Sequence, residues 1–278
     1  MKRIIAAFVV LFVLVPNSAK AQTNSNAQTA LQNTFTSFEQ YDFDRAIALS
    51  DIVKRDFPQT PEANTAIALK TMSLTIVSLA DLLEFENCIT MGIRVTSYAE
   101  RGQYLGFAIT ARKQLESDAN KLVKAAAALE YLTDRPSAPL QITLAESFSV
   151  SSTDDRQAYK KWLRVQSAHM IVEETLGKDD VSELSLKAYF PGTHYQGKIV
   201  WPRNMMIVCN IINMIGTYQQ VLDVPQPTTL ATYRLSDKLA KKVISLTLDE
   251  PSSRLHQMAI ERQSDAQNSI DEISKKKR

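Results

Sequence analysis

The chain has 278 residues, 32 basic and 30 acidic, with 45% hydrophobic content and only 7 glycines. That length and apolar fraction suit one large or two small domains with a proper core. So little glycine argues against an all-β chain rich in tight turns and for helices.

At the N-terminus, Lys2 and Arg3 precede an apolar run from Ile4 to Val15, and Ala19-Lys20-Ala21 follows. This is the charged, apolar, A-x-A order of a secretory signal. The run is shorter than the roughly 20 residues a bilayer core requires. Cleavage between Ala21 and Gln22 is expected, giving an exported protein, periplasmic or secreted, with no membrane span in the mature chain. Lys2, Arg3 and Lys20 leave with the signal, so the remainder carries 29 basic against 30 acidic residues. Four of those 29 form the basic tail 275–278, and residues 22–274 are net acidic at −5. Such a balance excludes a nucleic-acid binder, which needs clustered positive charge.

Taken in order, the first helical segment carries Leu31, Phe35 and Phe38. The stretch from Tyr41 to Ala66 follows, with Phe43 one turn into a second helix, Ala46 as a small packing residue and Pro58 as its stop. Thr60 is expected to cap the next helix with Pro61 at its first position. These residues, over about 27–66, resemble one degenerate tetratricopeptide repeat unit. Phe35, Phe38, Tyr41, Phe43, Ala46 and Pro58 occupy its packing positions, and Tyr41 stands at the usual turn glycine. The resemblance implies antiparallel helix pairs that bind peptides, proteins or partner helices on a concave face.

After Thr60 comes an unusually apolar helix, Ala66 to Leu83, expected to be central because it has little polar face. Lys70, Asp81, Glu84 and Glu86 interrupt it and argue against a membrane span. A lipid-like ligand along this helix is an alternative. Ala108, Ala111, Leu115, Ala119, Leu122, Ala126 and Leu129 recur at spacings of three and four and predict a helix, with Gly102 and Gly106 before it. Tyr159, Trp162, Leu163 and Met170 predict another, between the cluster 151–155 and Gly177. Pro202 opens a helix through Met205–Ile215, closed by Pro225 and Pro227. Thr228 or Thr229 is expected to cap a helix bearing Leu235, Leu239 and Leu246. The last presents Leu255, Ala259, Ala266, Ile270 and Ile273 in a narrow peripheral stripe. Ser137–Val150 and Leu184–Trp201 read as loops, the second with room for a short extended pair.

Candidate chemistry is sparse. Gly192–Lys198 has the glycine and lysine spacing of a phosphate-binding loop, but Ile199 replaces the magnesium-holding Ser or Thr. His169 and Glu173 share a helix face without a third ligand, and read as a surface ion pair. Asp42 with Asp44, and Asp154 with Asp155, are paired carboxylates in which Asp44 and Asp154 fit helix starts. No catalytic, cofactor-binding or metal residue emerges. Cys88 and Cys209, the sole cysteines, can be joined in an oxidising compartment or remain buried thiols.

The reading is an all-α protein: signal 1–21, one helical domain 22–274 and a basic tail 275–278, folded as a bundle or short solenoid of antiparallel helix pairs. Its expected role is non-enzymatic protein binding or scaffolding in the cell envelope. One alternative is a solute- or lipid-binding accessory to an envelope transport system; in outline it is similar to the helical T component of tripartite ATP-independent transporters, without that family's lipid-attachment cysteine. A further alternative is a hydrolase with carboxylates in a helical cleft.

Overall fold

The computed structural model describes residues 25–131, 141–143, 156–176, 187–189, 194–195, 198–199 and 201–275. The signal segment, its cleavage point at Ala21 and Gln22, Asp154 and Asp155 lie outside these residues. Eight α-helices form in the described chain: α1 at 25–39, α2 (Phe43–Asp56), α3 (Pro61–Arg94), α4 (Tyr98–Ala127), α5 (Arg156–Leu176), α6 (Trp201–Val221), α7 (Gln226–Leu246) and α8 (Arg254–Lys275). A 3-10 turn, Ala128–Tyr131, extends α4. The protein is all-α, with two minimal antiparallel ladders. β1 (Gln141–Thr143) pairs with β2 (Lys187–Tyr189), and β3 (His194–Tyr195) with β4 (Lys198–Ile199). The first ladder ties together the two segments expected to be loops, and the second is the short extended pair.

The helix α3 is central, as its apolar sequence implies: it packs against α2, α4, α5 and α6. It is long and apolar enough to cross a membrane by composition, yet 83% of its most apolar window is buried inside the fold. One apolar cluster runs from Leu31 on α1 to Ala259 on α8. A smaller one, Leu230, Tyr233, Ala266 and Ile273, seals α8 onto α7.

At the α1–α2 corner, Phe35, Phe38, Tyr41, Phe43 and Ala46 are all buried. Phe38 and Phe43 meet edge to face at 5.2 Å, and Tyr41 and Phe43 at 6.2 Å, an arrangement worth more than the buried area alone. Pro58 is exposed and acts through backbone: α2 ends at Asp56, before it. Tyr41 adopts φ +60°, the left-handed conformation ordinarily left to glycine. For a tyrosine this costs about 1–2 kcal/mol, offset here by a ring packed into the aromatic corner.

Several helix ends differ from expectation. Tyr98–Ala127 is one helix running through Gly102 and Gly106, each of which costs a helix only about 1 kcal/mol. Thr60 sits at the N-cap of α3, but its hydroxyl donates back to the Phe57 carbonyl at 2.9 Å instead of capping. α7 begins at Gln226 with Pro225 at the cap, so Thr228 and Thr229 lie inside its first turn. Asp42 caps α2, accepting from the Arg45 amide at 3.2 Å, and Asp44 follows in the first turn, at the helix start where the sequence puts it.

Cys88 and Cys209 are both buried free thiols, so the bond allowed by the sequence is not formed. Cys209 faces α7, its Sγ 3.3 Å from the Ser236 carbonyl, and burial pushes its thiol up to about 11. Cys88 faces a different neighbour, the cleft beside Tyr104 and Tyr159.

Candidate functional site

The second half of α3 departs from its apolar first half by carrying Asp81, Glu84 and Cys88 at spacings of three and four, which places them on one helical face. All three are buried. Opposite runs the polar face of α5, where Arg156, Lys160 and Arg164 recur every four residues. Between these faces and the α1–α2 corner lies a cavity of about 630 Å³, within the range of small-molecule sites. Its walls include Tyr41 and Asp44 from the corner, Asp81 and Glu84 from α3, Gln114 from α4, and Lys160 and Arg164 from α5.

Most charges here are matched. Glu84, only 2% exposed, accepts from Arg156 at 2.8 Å and pairs with Lys160 at 3.3 Å. Arg164 donates to Asp44 at 2.7 Å. Arg156 also lies over the Phe107 ring at 4.1 Å, a favourable cation–π contact.

Asp81 is different. It is 5% exposed, and its Oδ2 is buried without an amide, hydroxyl or cationic donor. Its partner is another carboxyl, Asp118 on α4. Burial first, then the charge and hydrogen bond of Asp118, push Asp81 up to about 8, against a smaller opposing pull from Arg164 and Lys160. Burial also raises Asp118, but hydrogen bonds from Lys121, Gln114 and Asp81 outweigh it and hold that carboxyl below its ordinary value. Lys121 Nζ and Gln114 Nε2 each donate to Asp118 at 2.6 Å. Burial and the neighbouring Asp118 therefore favour the neutral form of Asp81, since two adjacent carboxylates resist ionising together.

Beyond the Glu84–Arg156 pair, a second cleft of about 460 Å³ opens along the same face of α3, lined by Cys88, Met91, Tyr104, Phe107 and Tyr159. Tyr159 stacks on Trp162 at 5.9 Å, and its hydroxyl accepts from Asn87 Nδ2 at 2.9 Å. The ion cluster thus separates a polar compartment from an aromatic one.

Of the other residues singled out by sequence, His169 turns to the corner: its Nε2 shares a 2.9 Å hydrogen bond with the Tyr41 hydroxyl. The expected pair with Glu173 involves a side chain outside the described residues. Gly192 lies outside them too, while Lys198 pairs in the β3–β4 ladder, so this lysine stands on a strand where that of a phosphate loop would open a helix. Asp42 and Asp44 both line the cavity wall, with Asp44 in the first turn of α2. Asp81, Asp118 and the α5 cations escaped the sequence reading as a site. Charges at Asp81 and Glu84 inside an apolar helix were the available signal, because a buried charge must find a partner or lose its charge.

No family model, curated protein or solved structure matches this chain.

Proposed function

We propose that the protein is an exported, non-enzymatic binding protein of the cell envelope that holds a small polar solute in the cavity between the α1–α2 corner, α3 and α5. The observation that carries this reading is Asp81: a carboxyl retained at 5% exposure on a cavity wall, without an N–H donor, in a seam that apolar residues could have filled. Buried ionic groups are weak contributors to stability, so their concentration around a solute-sized space favours a binding role. The signal-like N-terminus agrees with an envelope location. A polar wall also disfavours a lipid-like ligand at this cavity.

The experiment is native mass spectrometry of the chain purified from its own envelope. A stoichiometric small molecule is expected, lost in Gln157→Trp, which places a bulky ring at the exposed cavity wall. Retention of no small molecule by the wild-type chain contradicts the reading.

A separate feature supports partner binding. Ile93, Tyr98, Leu105 and Ile109 are exposed around the α3–α4 turn and along α4, Tyr98 at 88%. Exposed apolar groups of this kind mark interaction surfaces. If they bind an envelope protein, Leu105→Glu with Ile109→Glu will abolish its co-purification while leaving the solute bound. The hydrolase reading is less well supported: Asp81 supplies a proton donor, but Glu84 and Asp44, which would serve as bases, are held in ion pairs.

A further inference from the structure

The cavity presents an inventory of charge with one mismatch. Facing Asp81 are Glu84 on α3, Asp118 and Lys121 on α4, Lys160, Lys161 and Arg164 on α5, and Asp42 and Asp44 at the α1–α2 corner. Glu84 is neutralised by Arg156 and Lys160, Asp44 by Arg164, and Asp118 by Lys121. Asp42 is engaged at the N-cap of α2. Asp81 alone among these acids has no cationic partner and no amide donor.

We infer that this cavity takes a small ligand carrying a primary ammonium group, which docks on Asp81, the buried wall carboxyl that has no cationic partner. This rests on the solute-binding reading and names the chemical class of the solute. A proton on Asp81 neutralises it in the way an ammonium would, so the exchange conserves charge: R–NH3+ enters, Asp81 ionises, and one proton leaves to solvent. An ammonium brings three donors to a carboxyl that lacks them and forms the stronger, charge-assisted hydrogen bond. An uncharged hydroxyl gains nothing from ionising Asp81. On the opposite wall Arg164 is matched by Asp44, while Arg156 and Lys160 share the one charge of Glu84, so binding of the des-amino acids in the panel below in preference to the amines would instead mark an anion site. A bare metal ion is disfavoured, since the described residues contain no group of three or more His, Cys, Asp or Glu side chains placed to hold one, and the space far exceeds an ion.

The test uses the purified full chain and a panel of primary amines, ethanolamine, 1,4-diaminobutane, glycine and L-lysine, each against its alcohol or des-amino counterpart. Isothermal titration at pH 7 is run in phosphate and in imidazole, whose ionisation heats differ and neither of which is a primary amine. At least one amine is expected to bind with release of one proton, and its counterpart to bind at least tenfold more weakly. Its affinity should rise about tenfold per pH unit from pH 5 to 7 and level off above the Asp81 titration, because each bound ligand replaces one proton. Asp81→Asn, which keeps the shape and can still donate to Asp118, should weaken the amine about a hundredfold and flatten its pH profile. Equal binding of amines and counterparts, or amine binding without proton release and unchanged in Asp81→Asn, overturns the inference while leaving a solute site in place. No binding by any panel member overturns it as well; a stoichiometric solute in native mass spectrometry then preserves the broader reading, and its absence removes both.

Discussion

The seam between α6 and α7 and the seam between α3 and α5 solve the same problem, packing one helix on another, in opposite ways. Between α6 and α7 the contact is dry and close: Gly216 lets the Tyr233 ring approach so nearly that an added Cβ would lie 2.9 Å from it, and Cys209 meets Ser236. Between α3 and α5 the contact flanks a cavity and carries ions, Glu84 with Arg156 and Lys160 beside the buried Asp81. The dry seam is explained by stability alone, through close packing and burial. The wet seam is not, because desolvating those ions offsets much of their attraction. Function is therefore sought where the fold keeps charges that packing does not require.

The comparison can be sharpened by substitution, beginning with the largest effect. Asp81 has a folded-state titration raised from 3.8 to about 8. Between those values the folded chain holds a proton that the unfolded chain has lost, so its stability falls as pH rises through this window and levels off above pH 8. Asp81→Asn removes that slope. Its stability relative to wild type should grow by on the order of a few kcal/mol from pH 4 to pH 8, measured by urea unfolding across pH. Glu84→Gln acts in the other direction, leaving Arg156 and Lys160 without their shared carboxylate. Since those cations are partly exposed, the expected loss is about 2–3 kcal/mol, toward the low end for a broken buried pair.

In the dry seam, Gly216→Ala drives a methyl into Tyr233 and should cost about 1–3 kcal/mol by overpacking, with solute binding unchanged. Loss of binding in this variant would mean that the two seams are not independent. Tyr41→Phe keeps the corner ring but removes the hydroxyl that meets His169, and should cost about 1 kcal/mol. Chemical denaturation measures both, and a larger loss for Tyr41→Phe than for Gly216→Ala would reverse the ranking.

Much of the fold is legible in sequence. The run of Ala108 through Leu129 marks the buried side of α4, and the scarcity of polar residues from Ala66 to Leu83 places α3 at the centre. Misplaced boundaries have local causes. Gly102 and Gly106 read as breakers, although glycine on an exposed helix face costs only about 1 kcal/mol each. Thr228 and Thr229 read as caps, where Pro225 and Pro227 already begin the helix.

The site is half legible. Asp81 and Glu84 stand out in an apolar helix, and Arg156, Lys160 and Arg164 repeat at the helical period. What sequence cannot supply is the register that turns these two faces toward each other, or the α3–α4 packing that puts Asp118 against Asp81, thirty-seven residues away in the chain. Tyr41 is similar: a missing turn glycine is visible, but the distant His169 that its hydroxyl meets is not.

The most direct test of the central claim is a carboxyl carbon-13 NMR titration of the unliganded chain, with Asp81 and Asp118 assigned by single substitution. The account predicts that Asp81 titrates near pH 8 and Asp118 below the ordinary aspartate range. Titration of Asp81 at an ordinary value near 4 would show a solvated carboxylate, ionised at neutral pH, and would contradict the account of the wet seam.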